Sequence, residues 1–174
     1  MKISNRQNIN ICYIIFLALL ILFYARGWLN QLHPTGYHVG ESMVNIIPTL
    51  HFKEFLLNHH SIPNWSDYSF WGRPFLEKFQ FLSFFLISLI SIAFNISILT
   101  SWKILIIACV FTGACFIYMI VYRLTSNPKA SLISATVFAL VPFHSGNTST
   151  AWFWAPSWAL LPLLFIVYDQ FLSN

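Results

Sequence analysis

The chain has 174 residues, 57% of them hydrophobic and only 8% charged, with a mean hydropathy of +0.68. A soluble domain carries about 25% charged residues, so the composition excludes an ordinary soluble domain and predicts an integral membrane protein. The net charge of +4 comes from scattered positive residues, which argues against a nucleic-acid partner and instead reports membrane orientation.

Residues 1–10 are polar and carry Lys2 and Arg6. Residues 11–25 are apolar. A span needs ~20 residues, so the first helix is expected to continue through Gly27-Trp28-Leu29 with Arg26 snorkelling. A cleaved signal peptide is the alternative. Ala25-Arg26-Gly27 weakly resembles a cleavage site, but the arginine and the following tryptophan fit it poorly. Either way Lys2 and Arg6 stay cytoplasmic and the chain lies outside from residue 30 onward.

Residues 30–78 form a large outer loop. It holds all but one of the five acids, Glu41, Glu54, Asp67 and Glu77, and His33, His38, His51, His59 and His60 lie in or beside it. Ionisable residues are costly near hydrocarbon, so their concentration makes this loop the expected site of function. Between Pro48 and Pro63, Leu50, Phe52, Phe55, Leu56 and Leu57 recur near helical spacing. They predict a short amphipathic helix lying on the membrane, with Lys53, Asn58 and His59 toward water. Residues 64–75 read as a Pro/Gly-bounded aromatic loop.

The second apolar segment is 79–99, with Ser83, Ser88, Ser91, Asn95 and Ser97 as its polar positions. The third is 102–122, followed by a short basic turn from Arg123 to Lys129. The fourth, 130–143, is expected to stop at Pro142. A second outer loop, 144–150, precedes the fifth segment, 151–172, which contains Pro156 and Pro162. There is no internal repeat or linker. The expected fold is all-α: one polytopic membrane domain over 1–174 with four to five hydrophobic helices. Cys12, Cys109 and Cys115 all fall in apolar segments and read as small hydrophobes.

Orientation poses a parity problem. If every segment spans, Arg123 and Lys129 lie outside, against the positive-inside tendency. If 79–99 is half-inserted, Arg123 and Lys129 join Lys2 and Arg6 inside, and the 144–150 loop shares the outer face with 30–78. The 21 residues of 79–99 are enough to span at ~1.5 Å each, but the half-inserted arrangement is preferred.

Ile62-Pro63-Asn64-Trp65, then Trp71-Gly72-Arg73-Pro74-Phe75, then a long aromatic-apolar segment, and later Ala139-Leu140-Val141-Pro142, follow one another in an order that resembles the GT-C superfamily of membrane glycosyltransferases. The similarity is nearest to the bacterial and archaeal membrane proteins known as 6-pyruvoyl-tetrahydropterin-synthase-related and to their YfhO-like neighbours. In those proteins an acid opens the first outer loop, and counting back from Trp65 places it at Glu41. The resemblance implies a GT-C-like N-terminal module at the cytoplasmic membrane, multi-pass, with its N-terminus inside. It would transfer a sugar from a polyprenyl-phosphate-linked donor at the outer face. Glu41 would be catalytic with His38 beside it, and Trp65, Trp71, Arg73, Lys78 and His144 would contact substrate. Two departures from the pattern matter. The opening acid is usually Asp rather than Glu. The loop His144-Ser145-Gly146-Asn147-Thr148 also lacks the acid often found there, so no metal shared between the loops is expected. The chain is far shorter than typical members, which implies the N-terminal part of one.

Each residue also has a plainer role. Glu41 suits a helix start, where the dipole favours a carboxylate. Arg73 and Lys78 suit the headgroup level as interfacial cations. Trp65, Tyr68, Phe70 and Trp71 suit an aromatic belt. His51 and Glu54 lie one helical turn apart, with His59-His60 following, but no HExxH spacing supports a metal site, and no cofactor is expected. Asn64-Trp65-Ser66, Asn95-Ile96-Ser97 and Asn147-Thr148-Ser149 match the glycosylation acceptor pattern. The rival to an enzyme is a non-catalytic polytopic protein that binds lipid or a protein partner. A transporter is less favoured, because it needs ionisable residues deep within its spans, whereas Arg26, Lys103 and Asp169 lie near the ends.

Overall fold

The computed structural model describes residues 2–31, 39–63, 65–66, 73–74, 81–144 and 155–173. Six helices carry the described structure: α1 (Lys2–Gln31), α2 (Val39–His59), α3 (Phe81–Phe94), α4 (Ile98–Thr125), α5 (Pro128–His144) and α6 (Ala155–Ser173). Two short strands, β1 (Trp65–Ser66) and β2 (Arg73–Pro74), pair antiparallel. The expected all-helical class holds. Among the described residues, α4 is the one helix long and apolar enough to cross a membrane. Its 28 residues extend ~42 Å at ~1.5 Å each, against ~30 Å of bilayer hydrocarbon. Ile11–Arg26, Leu82–Phe94, Pro128–Val141 and Ala159–Phe171 are shorter apolar stretches.

The described C-terminal ends of α2, α3 and α4 are set by local chemistry that contains no glycine. His60, Asn95 and Ser126 each have φ near +50° and follow the last residue of α2, α3 and α4 or its neighbour. A left-handed residue after a helix turns the chain and satisfies its last carbonyls. The Asn95 and Ile96 amides donate to the carbonyls of Ile92 and Ser91 at 3.3 and 3.1 Å, the double bond of a Schellman cap. The His60 and Ser126 amides donate to Leu56 and Tyr122 carbonyls in the single-bond form. The next helices start at once. The Ser97 hydroxyl accepts from the Thr100 amide at 3.1 Å and opens α4. Asn127 Oδ1 accepts from the Lys129 and Ala130 amides at 3.0 and 3.3 Å. Pro128 takes the first position of α5, where a missing N–H is harmless.

These caps correct three expected boundaries. Segment 79–99 is not one helix. Asn95 ends α3 after 14 residues, or ~21 Å, too short to cross a bilayer. The helix expected over 48–63 begins instead at Val39 and ends at His59, with Pro48 inside it. Proline removes one donor from the ladder, and a neighbouring helix can make that tolerable in an apolar setting. Pro142 does not stop α5, which runs on to His144. Only the bond from position 142 back to the residue-138 carbonyl is forgone, and the helix ends two residues later.

The chain falls into two compact units. One comprises residues 1–31, 107–148 and 157–174, and the other residues 32–106 and 149–156. In the first, α1 packs on α5. Leu17, Ile21 and Ala25 form a fully buried stripe on α1, four residues apart, and Ser131, Ala135 and Ala139 form one on α5. Small residues at this spacing let backbones approach closely.

In the second unit α2 packs on α3. Thr49 and Phe52 are buried from α2, and Ser83, Phe84, Ile87, Ser88 and Ser91 from α3. The Phe52 and Phe85 rings meet edge-on at 6.2 Å. The helix expected to lie on the membrane surface therefore buries one side against protein. Lys53, expected to face water, is half-buried and bonded to α3, whereas Asn58 and His59 are exposed.

Candidate functional site

The polar segment between α1 and α3 is organised by α2 and the β1–β2 pairing. Trp65 lies opposite Pro74 and Ser66 opposite Arg73. The register thus lays Trp65-Ser66 and Arg73-Pro74 backbone to backbone, the paired residues lying seven and nine positions apart along the chain. Sequence spacing identified both segments but not their pairing, since two-residue strands leave no alternation to read.

Glu41 lies in the first turn of α2, where the helix dipole favours a carboxylate. From there α2 extends ~27 Å to His59, at ~1.5 Å per residue. The hairpin is joined to that far end through residues 60–64. The paired strands therefore bring the Trp65 and Arg73 segments together, while Glu41 starts at the opposite end of α2. His144 is the last residue of α5. His38, Trp71 and Lys78 lie outside the described residues.

Along α2, His51, Phe55 and His59 form a ladder at helical spacing. Ring centroids are 6.3 Å apart for His51–Phe55 and 4.4 Å for Phe55–His59. The histidines flank an aromatic ring rather than each other. Among the described residues, no group of three or more His, Cys, Asp or Glu side chains could hold a metal.

Between α2 and α3 a short polar chain runs through otherwise apolar packing. Lys53 Nζ donates to Ser91 Oγ at 2.8 Å, and that hydroxyl donates to the Ile96 carbonyl at 2.6 Å. Ser88 Oγ donates to the Thr49 carbonyl at 3.4 Å. The ammonium reaches the C-terminal end of α3, where the helix dipole favours a cation. The serines of the second apolar segment were legible in the sequence. Their partner on α2 was not, because Lys53 reads as a solvent-facing residue until α2 is seen to pack.

A second polar feature lies on α4 and α6. Arg123 Nη1 approaches Asp169 Oδ2 at 3.6 Å, with both side chains substantially exposed. A groove of about 270 Å³ beside the pair is lined by Ile120, Leu124, Phe165, Ile166 and Tyr168. The available sequence signal was an acid in an apolar segment, which calls for a partner.

No protein-family model matches the chain, and neither a curated protein nor a solved structure matches it. What stands is the coarser class: a helical protein in which, among the described residues, one helix has the length and apolarity to cross a bilayer.

Proposed function

We propose that the chain is a multi-pass membrane module, resembling the N-terminal part of a GT-C glycosyltransferase, that acts on a polyprenyl-phosphate-linked sugar at the outer face of the membrane. The observation carrying this reading is the register of β1 and β2. It sets side by side the two segments on which the resemblance rests. Arg73 and Lys78 would meet the donor phosphate, since cations at headgroup level attract anions. Trp65 and Trp71 would stack on sugar or isoprenoid, with His38 flanking. Glu41 would accept the acceptor hydroxyl's proton as oxygen attacks the sugar's anomeric carbon and the bond to the polyprenyl phosphate breaks with inversion. This requires the hairpin to fold back along α2 toward Glu41.

The experiment is sugar transfer in membranes from cells making the protein, with protein level held equal. Glu41→Gln keeps size and hydrogen bonding but removes the base, and loss of such a group costs ~10²–10⁴-fold in rate. Glu41→Asp is milder, because it restores the residue such proteins usually carry. Transfer by Glu41→Gln at the parent rate overturns the catalytic assignment.

The second reading is a non-catalytic membrane protein that binds lipid or a protein partner. It is favoured by the place of Glu41 in the first turn of α2, remote along the helix from the hairpin. Under it Glu41→Gln lowers stability by about 0.3–1 kcal/mol, and no sugar is transferred by any variant.

A further inference from the structure

We propose that the groove between α4 and α6 at Arg123 is a binding site for an anionic phospholipid, with the phosphate on the guanidinium and an acyl chain along α6. This inference stands apart from the sugar-transfer reading and uses none of its residues.

Arg123 lies two residues before the end of α4. A helix ~12 Å longer than the hydrocarbon core carries its end out to the headgroup level. A cation there meets phosphate rather than acyl chain. The Arg123 side chain is 48% exposed and its guanidinium touches Asp169 through one nitrogen at 3.6 Å. Five donors in a planar fork leave most of its capacity for a second acceptor, and the fork matches phosphate geometry.

The apolar half of the ligand has a track of its own. Phe165 and Tyr168 line the groove beside Arg123 and also a shallow face with Leu161 and Leu164. Together these run from position 169 back to 161, ~12 Å along α6. All four side chains are well exposed. At about 270 Å³ the groove falls just below the ~300 Å³ lower bound of ordinary small-molecule sites. It suits part of one chain beside a headgroup. Charge complementarity at Arg123, together with the apolar track leading from it, selects an anionic amphiphile over a neutral one. Asp169 competes with the phosphate for the same guanidinium.

The test uses the full chain in detergent micelles, titrated with phosphatidylglycerol and with the matching phosphatidylcholine, and bound lipid is counted by native mass spectrometry. The parent retains phosphatidylglycerol in preference. Arg123→Gln loses that preference by about fivefold, the share of one basic residue at a membrane surface. Asp169→Asn removes the competitor and strengthens the preference. The two variants thus move lipid binding in opposite directions. A purely structural ion pair would lower thermal stability in both and leave the lipid ratio unchanged, which overturns the proposal. Equal retention of the two lipids by the parent, or displacement of the lipid by millimolar inorganic phosphate alone, also overturns it.

Discussion

Lys53 on α2 donates a 2.8 Å hydrogen bond to Ser91 on α3, thirty-eight positions away in the chain. Ser91 passes it on to the Ile96 carbonyl beyond the Asn95 cap. One contact therefore ties a helix of the polar segment to the turn that ends an apolar one. Hydrogen bonds to charged groups contribute about 1.5–3 kcal/mol. Lys53 is half-buried, so the lower end applies. Lys53→Met and Ser91→Ala are each expected to lower the thermal midpoint in detergent, and the double variant should cost less than the sum of the two. Additive effects in that cycle would mean that the two groups are not coupled.

The α1–α5 contact is set by small residues. Ala135 is fully buried, with Ser131 and Ala139 one turn to either side. Ala135→Leu inserts three carbons where the backbones approach, and overpacking of this kind costs about 1–3 kcal/mol. Ile133→Leu, at a position 65% exposed, should change nothing measurable. Thermal unfolding of both variants in the same detergent checks this, and an unaffected Ala135→Leu would refute close packing at that stripe.

The turn from α4 to α5 rests on Asn127, which holds two amides of α5. Asn127→Ala should cost ~1 kcal/mol, and Asn127→Ser should recover most of it. The readout is again the thermal midpoint. Equal losses in both variants would show that the side-chain cap does not hold the turn.

Much of the helical pattern was legible because apolar runs are long and polar breaks few. The basic turn at 123–129 carries its own signals, with Asn127 before Pro128. What escaped reading follows from residues that break the usual rules. Asn95, His60 and Ser126 take left-handed caps that glycine would announce, so the end of α3 inside 79–99 was hidden. Pro48 and Pro142 read as stops, yet helices continue through both at the loss of one donor each. Within the candidate site, Trp65 and Arg73 could be singled out by type and order. Their alignment across β1 and β2 was not legible, because two-residue strands carry no alternation that would set a register. Arg123 and Asp169 are 46 positions apart, and only the approach of α4 and α6 makes them a pair.

The central claim is a multi-pass arrangement in which segments 30–78 and 144–150 share the outer face. If α1 and α4 cross and the 14-residue α3 does not, Lys2, Arg6, Arg123 and Lys129 lie together inside, as the positive-inside tendency asks. The most direct measurement is labelling of single cysteines at Ser66, Thr148 and Ser126 by an impermeant reagent, in a background lacking Cys12, Cys109 and Cys115. Cysteines at 66 and 148 should react on intact cells, and the one at 126 only after the membrane is opened. A cysteine at 126 that reacts from outside while the one at 148 stays silent would contradict the arrangement and require α3 to cross.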